Sequence, residues 1–127
     1  MKGMSSSVEV AVATYVRAAS ERDADRRARL LDTCLAEDAR FVTRSRVYRG
    51  RAEIAQMLAR GLSDPELVGI RIASAIDAQG TTFRYRAVAD RRDGSSAESF
   101  DAGEIDSNGQ ICLILAFAGA LADASSD

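Results

Sequence analysis

The hydrophobic pattern of this 127-residue chain changes from the period of a helix to that of a strand close to residue 66. Before that point apolar residues recur at helical spacing, most clearly at Ile54, Leu58 and Leu62. After it they alternate with polar residues, as Ile70 and Ile72 do. Helices followed by a run of antiparallel strands indicate an α+β domain. We therefore predict three helices packed on one face of a curved antiparallel sheet, in a single domain over residues 1–127 with an ordered core of about 7–121.

The first two helices are predicted from apolar faces on either side of a charged segment. Val8, Val12 and Val16 share one helical face, and Ser7 is the expected N-cap of that helix. The segment ERDADRRAR then leads into a second helix, for which Asp23 is the expected N-cap. We interpret its charges as a solvated face, so that each helix buries its other face against the sheet.

A run of basic residues connects the second and third helices. The stretch AEDARFVTRSRVYRGRAEI holds five arginines and no carboxylate between residues 39 and 52. Strand alternation predicts that Arg40, Arg44 and Arg46 lie on the outer face of two short strands, with Thr43 on the inner face. Neutralisation by flanking carboxylates is one interpretation of these arginines, and a dedicated anion site is the other.

The last strand is predicted from an uncharged run. The sequence ICLILAFAGAL, from Ile111 to Leu121, follows an Asn108-Gly109 pair that is typical of a hairpin turn. A run without charges indicates that both faces are buried. We expect the helices to cover one face and a second copy of the chain to cover the other, which gives a homodimer through the sheet.

The residue types exclude several kinds of chemistry. The chain has no histidine, the commonest general base and zinc ligand, and its formal net charge of −2 does not favour nucleic acid or anionic membranes. No apolar run is long enough to span a bilayer, and MKGMSSSVEV lacks the hydrophobic region of a secretory signal. We expect a cytoplasmic protein without metal or cofactor, in which Cys34 and Cys112 are buried free thiols.

Three segments carry a resemblance to a known superfamily: ATYVRAASERDADRRARLLDTCLAEDARFV, YRGRAEIAQML and GEIDSNGQICLILAF. Their order and spacing resemble the nuclear transport factor 2-like superfamily, which includes SnoaL-like cyclases and ketosteroid isomerases. The resemblance covers nearly the whole chain. It implies a cone in which helices wrap a bent sheet around an apolar cavity, commonly in a dimer that pairs through the sheets.

The resemblance also implies roles for individual residues. In ketosteroid isomerases a tyrosine late in the first helix and an aspartic acid on the strand before the final hairpin donate hydrogen bonds to a developing enolate oxygen. Tyr15 and Asp101 match these places. The general-base aspartate of those enzymes falls on Thr43, which cannot abstract a carbon-bound proton. A carboxyl group in an apolar cavity has a raised pKa, so Asp101 is able to remain a neutral donor there.

Both residues also have purely structural interpretations. In these, Asp101 is exposed near a strand end or makes a structural hydrogen bond, and Tyr15 packs in the core beside Val12. In the functional interpretation the ligand is a small apolar carbonyl compound and the reaction is an isomerisation, cyclisation or dehydration. Asp101 then serves as acid or base and Tyr15 as donor. The residues expected to line the ligand site are Thr43, Phe83, Tyr85, Arg86 and Phe117.

Other functions follow from other features of the sequence. The uncharged final strand favours a non-catalytic dimerisation or ligand-binding module as the alternative. Arg84 and Arg86 share a strand face and form a hypothetical site for a substrate carboxylate. Epoxide hydrolysis, which relatives perform with an Asp-Arg-Asp network, lacks a second aspartate beside Asp101 and Arg86.

Overall fold

The computed structural model describes residues 3–124, with side chains from residue 7 onward. Residues 125–127, beyond the ordered core predicted to end near residue 121, lie outside the described residues. Three helices lie within the described residues: α1 (Gly3–Ser20), α2 (Ala24–Cys34) and α3 (Arg51–Leu62). No helix within residues 3–124 is long and apolar enough to cross a membrane.

The two predicted helix N-caps have different outcomes. Asp23 caps α2 as expected, because its Oδ1 accepts a hydrogen bond of 3.0 Å from the backbone N–H of Arg26. The prediction for Ser7 is wrong, since α1 begins at Gly3 and Ser7 lies inside the helix. The residues before Ser7 include no proline, so the backbone is able to continue the helix toward the N-terminus.

Seven strands form one sheet, in the order β2-β1-β7-β6-β5-β3, with β4 paired to β5. Their bounds are β1 (Leu35–Val42), β2 (Val47–Arg49), β3 (Leu67–Ile72), β4 (Asp77–Gln79), β5 (Thr82–Arg91), β6 (Ser96–Ile105) and β7 (Ile111–Ala118).

The sheet is mixed, which corrects the prediction of an all-antiparallel sheet. The first strand, β1, pairs with the last strand, β7, in the parallel direction. β1 also starts at Leu35, directly after α2, although its first residues include the charged Glu37 and Asp38. Alternation within one strand carries no information on its partner's direction, so the sequence pattern did not predict this pairing.

The helices cover one face of the sheet, which we call the inner face. α1 packs against α2 and β3, and α3 packs against β1. On the strands this face carries Phe83, Tyr85, Asp101, Gly103 and Ile114. The opposite, outer face carries residues that alternate with these, namely Arg84, Arg86, Phe100 and Phe117. The core therefore lies between the inner face and the three helices.

Arginines fix the ends of the helices to the sheet. Arg22, just after α1, donates hydrogen bonds to the carbonyls of Leu62 and Leu67, which joins the end of α3 to the start of β3. Arg51 donates to the Leu35 carbonyl at 2.8 Å and pairs with Asp32 at 3.2 Å. The first arginine of α3 thus holds the junction of α2 and β1.

The two cysteines differ in burial. Cys34 is buried and its pKa is raised to about 12, chiefly by desolvation, so it stays a thiol as predicted. Cys112 is only half-buried, and its Sγ donates to the Glu104 carbonyl at 3.4 Å. The prediction of two fully buried thiols is therefore correct for Cys34 alone.

Gly103 sets how closely β6 approaches its neighbours. A Cβ at this position would lie 2.1 Å from the Leu113 carbonyl oxygen on β7 and 2.6 Å from Cζ of Phe83 on β5. Both distances are far below van der Waals contact, and the nearer atom belongs to the backbone. Only glycine allows the Phe83 ring to lie over β6 at this register.

We predict that Gly103→Ala lowers the free energy of unfolding by about 2 to 3 kcal/mol, because β7 and the Phe83 ring must both move. Urea unfolding followed by circular dichroism measures the change. Gly61→Ala in α3 is the matched control. A Cβ there meets no atom within 4 Å, so it should raise stability by about 0.5 kcal/mol. Equal effects of the two substitutions would contradict the packing argument.

Candidate functional site

Two parallel rows of side chains cross the inner face of the sheet. The first, which we call the apolar row, is set by the strand registers and consists of Phe83, Gly103, Ile114, Phe41 and Tyr48. The second, which we call the polar row, starts with the cross-strand partners Tyr85, Asp101 and Ala116.

The polar row continues beyond the three long strands. The parallel β1–β7 register ends at the pair of Val42 with Leu115, and Thr43 and Ala116 are the residues that follow this pair on the two segments of the chain. Thr43 in turn faces Arg46, because its backbone N–H donates to the Arg46 carbonyl at 2.8 Å. One line across the inner face thus runs from a tyrosine and an aspartate, over two small residues, to an arginine.

Asp101 is the buried acid of this row. It is 7% exposed, and it is the one acidic or basic side chain among residues 7–124 that is buried. Desolvation raises its pKa, while hydrogen bonding by the Tyr85 and Ser99 hydroxyls partly offsets that rise. Its Oδ1 atom is buried and has no hydrogen-bond partner among the described residues. Asp101 thus combines a raised pKa with a free acceptor oxygen.

Two tyrosines surround this carboxyl group. Tyr85 comes from β5 directly opposite Asp101, and its ring stacks on Phe83 with centroids 6.1 Å apart. Tyr15 comes from α1, and its ring contacts Phe41 at 6.4 Å. Desolvation raises the pKa of both hydroxyls, and the nearby Asp101 charge raises both further. Both tyrosines therefore remain protonated and are able to donate hydrogen bonds.

The hydroxyl of Thr43 is used within the turn between β1 and β2. It donates to the Arg46 carbonyl at 3.0 Å and accepts from the Arg46 N–H at 3.1 Å. These bonds hold the turn that reverses the chain. Thr43 lies in the polar row, as the sequence indicated for the inner face, yet its oxygen is committed to the backbone.

The structure brings four of the seven predicted site residues together around the carboxyl group: Asp101, Tyr15, Tyr85 and Phe83. It does not bring Arg86 and Phe117 to them. Arg86 and Phe117 lie on the outer face, each one residue away along its strand from an inner-face position. Arg86 bonds the Ala73 carbonyl at 3.1 Å and Glu98 at 3.4 Å instead.

The paired arginines of β5 both engage acidic side chains. Arg84 pairs with Asp77 at 2.8 Å and Arg86 pairs with Glu98, on the solvent-exposed outer face. These contacts compete with the carboxylate ligand hypothesised for the pair. Arg86 is also separated by the sheet from Asp101, so the two cannot form the network of an epoxide hydrolase on one face.

The position of Arg46 corrects a sequence prediction. Alternation was extended from Arg40 through the turn to Arg46, which placed Arg46 outside. A turn does not preserve strand alternation, and residues 43 and 46 face each other across it. The Arg46 guanidinium lies 4.8 Å from the centre of the Tyr48 ring, whose partner Phe41 belongs to the inner face.

Two further residues of this region were not singled out from the sequence. Tyr48 lies edge-on to Phe41 at 6.2 Å, which extends the aromatic contacts from Tyr15 outward. Arg60 from α3 also lies over the Tyr48 ring, at 6.0 Å. The spacing of Phe41 and Tyr48 in the hairpin could have predicted the contact between their rings. The contact of Arg60 with Tyr48 depends on how α3 packs, which the sequence pattern does not show.

We predict that Asp101→Asn changes how stability depends on pH. The pKa of Asp101 is raised in the folded protein, so its neutral form stabilises the fold fully below the unfolded-state pKa near 4. That contribution is lost as the pH rises through the folded-state pKa. The asparagine variant should therefore gain stability relative to wild type as the pH rises above about 4, until the carboxyl group is also ionised in the folded protein. Urea unfolding at several pH values measures this difference, and a constant difference would show that Asp101 does not titrate in this way.

Similarity to known proteins is structural. No family model matches the sequence, and no curated protein matches it. A candidate isomerase of the SnoaL-like family from Agrobacterium tumefaciens has a TM-score of 0.81 at 24% identity, over 91% of this chain and 99% of its own. A nuclear transport factor 2-like protein of unknown function from Burkholderia xenovorans has a TM-score of 0.72 at 14% identity, over 97% and 91% of the two chains.

An epoxide hydrolase-like protein gives a third match. This LEH-like enzyme from Mycobacterium tuberculosis has a TM-score of 0.69 at 19% identity, over 90% of this chain and 84% of its own. All three superpose on this chain, with its three helices and mixed seven-stranded sheet within residues 3–124, over at least 90% of its length. The chain therefore has the nuclear transport factor 2-like fold.

Proposed function

We propose that the chain binds a small apolar carbonyl compound on its inner face and transfers a proton on it through Asp101. The observation that carries this proposal is the buried carboxyl group whose Oδ1 has no partner within the described part of the chain, surrounded by two protonated tyrosines. A buried polar atom without a partner costs stability, and such atoms are concentrated at functional sites.

Asp101 suits the role of a general base. Among the described residues it is the one buried acid, and the Thr43 hydroxyl is committed to the turn. A carboxyl group with a raised pKa is a stronger base than an exposed one, and its pKa is closer to the working pH. This assignment replaces the base that the sequence comparison placed at Thr43.

The reaction has a simple form at such a site. The ionised Asp101 removes a proton from the carbon next to the ligand carbonyl, and the C–H electron pair forms an enolate. The Tyr15 hydroxyl donates a hydrogen bond to the enolate oxygen. Asp101, now neutral, returns the proton to another carbon, which gives an isomer of the starting compound. Tyr85 holds the carboxyl group so that Oδ1 faces the ligand.

We expect 2-naphthol, a planar phenol that mimics an enolate, to bind with micromolar affinity, as measured by its own fluorescence. Asp101→Asn and Tyr15→Phe should each weaken binding by about 1 to 3 kcal/mol, because the first replaces the ionisable carboxyl group by a neutral amide and the second removes a hydroxyl donor. Arg86→Gln is the control, since Arg86 lies on the outer face. Absence of 2-naphthol binding to a folded wild type would count against the site. Weaker binding by Arg86→Gln would indicate that the ligand binds on the outer face instead.

The outer face supports a second candidate function, a dimerisation module. Phe100, Phe117 and Leu121 are 41%, 55% and 98% exposed, and they line a groove of about 480 Å³ with Arg86 at its edge. Apolar side chains that cluster on a surface mark sites of association. We propose that a second copy of the chain covers this surface, with the sheets facing each other.

We predict a dimeric mass in solution, and we expect Phe117→Asp to shift the protein toward the monomer because it places a charge in the covered surface. Light scattering across a range of protein concentrations measures both. Val10→Asp is the control, since Val10 is 63% exposed on α1, away from the sheet. A wild type that stays monomeric at high concentration would refute the interface. A dimer fits either function, so the naphthol experiment decides between them.

A further inference from the structure

Two arginines lie over one tyrosine ring at the exposed end of the polar row. The guanidinium carbons of Arg46 and Arg60 are 4.8 Å and 6.0 Å from the centre of the Tyr48 ring. Both side chains are exposed, and neither forms an ion pair with a carboxylate of residues 7–124. The arginines of β5, by contrast, are neutralised by acidic partners.

The polar row connects these arginines to the buried carboxyl group. Between Asp101 and Arg46 it contains only Ala116 and Thr43, both of them small and half-buried. Neighbouring strands are about 4.8 Å apart, so the backbone positions of Asp101 and Arg46 are separated by three spacings, roughly 14 Å. The polar row therefore has a buried acidic end, a middle formed by two small side chains and an exposed basic end.

Aromatic rings lie along one side of the two small residues in the middle of the polar row. Tyr15, Phe41 and Tyr48 follow one another with centroids 6.4 Å and 6.2 Å apart. Tyr15 is beside Asp101 and Tyr48 is beneath the two arginines. Flat apolar compounds pack well against a line of rings.

We propose that Arg46 and Arg60 form a subsite for a carboxylate carried by the ligand of the inner face. The ligand class is then an apolar carbonyl compound with a carboxylate at its far end, its carbonyl at Asp101 and Tyr15. This inference rests on the proposed function, because it places the two ends of one molecule along the polar row. It explains why these two arginines lack acidic partners among the described residues.

The contacts of the two guanidinium groups suit a carboxylate. The Tyr48 ring attracts them through its face, which leaves their N–H edges available for an anion. The planar guanidinium matches a carboxylate with two parallel hydrogen bonds. Because both side chains are exposed to solvent, the gain in affinity is modest and decreases with added salt.

The test compares 6-hydroxy-2-naphthoate with its methyl ester, which has the same phenol and rings without the charge. Wild type should bind the acid about five- to tenfold more tightly than the ester at low salt. An Arg46→Gln/Arg60→Gln double variant should bind both equally, and its affinity for 2-naphthol should stay unchanged. Arg49→Gln is the control, because Arg49 follows Tyr48 on the strand and lies on its other face.

The outcomes separate this inference from the proposed function. Equal binding of acid and ester by wild type overturns the carboxylate subsite and leaves the phenol site intact. If Arg49→Gln loses the preference for the acid to the same extent, the preference comes from general attraction by positive charge, and the carboxylate subsite is also overturned. If Asp101→Asn does not weaken the binding of 6-hydroxy-2-naphthoate, Asp101 and the two arginines do not bind the two ends of one ligand. If no phenol binds, both proposals fail.

Discussion

The register of β5, β6 and β7 is the constraint on which the candidate site depends. Gly103 has no Cβ, so Phe83 packs over β6 and the Leu113 carbonyl approaches it from β7. That contact fixes which residues face each other across the three strands. A shift of one residue would turn Asp101 to the outer face and bring Phe100 inside. The chemistry of the inner face thus follows from a packing contact two residues away from the acid.

The buried carboxyl group is costly in a small domain. A polar atom that loses water without gaining a partner costs about 1 to 3 kcal/mol, a large fraction of the total stability of a domain of this size. Tyr85 and Ser99 reduce this cost, but Oδ1 is unpaired among the residues that the structure describes. Asparagine in the same place would fold without the ionisation penalty. The proposed proton transfer needs the carboxyl group, whereas the fold alone does not.

Hydrophobic periodicity predicted the three helices and the change to strands, because it reports burial directly. The family of folds came instead from the resemblance carried by three segments of the sequence. Asp101 and Tyr15 were placed at one site by that resemblance, and Tyr85 was expected to line the same site. Arg86 and Phe117 were grouped with them although their parity differs from that of Tyr85 and Asp101, so stricter use of alternation would have separated them. The parallel pairing of β1 with β7 was beyond the pattern, since periodicity within a strand does not encode its partner.

The two faces of the sheet divide the possible functions between them. The inner face places a buried acid, two hydroxyl donors and a line of rings under the helices, which suits a small ligand. The outer face carries exposed phenylalanines among paired charges, which suits a protein surface. Because neighbouring residues on β5, β6 and β7 point to opposite faces, each face is able to change without altering the other. Arg46 belongs to the inner face only because the turn at Thr43 breaks the alternation. The four-residue turn therefore decides whether the polar row ends in a positive charge, and a turn one residue longer or shorter would remove that charge from the row.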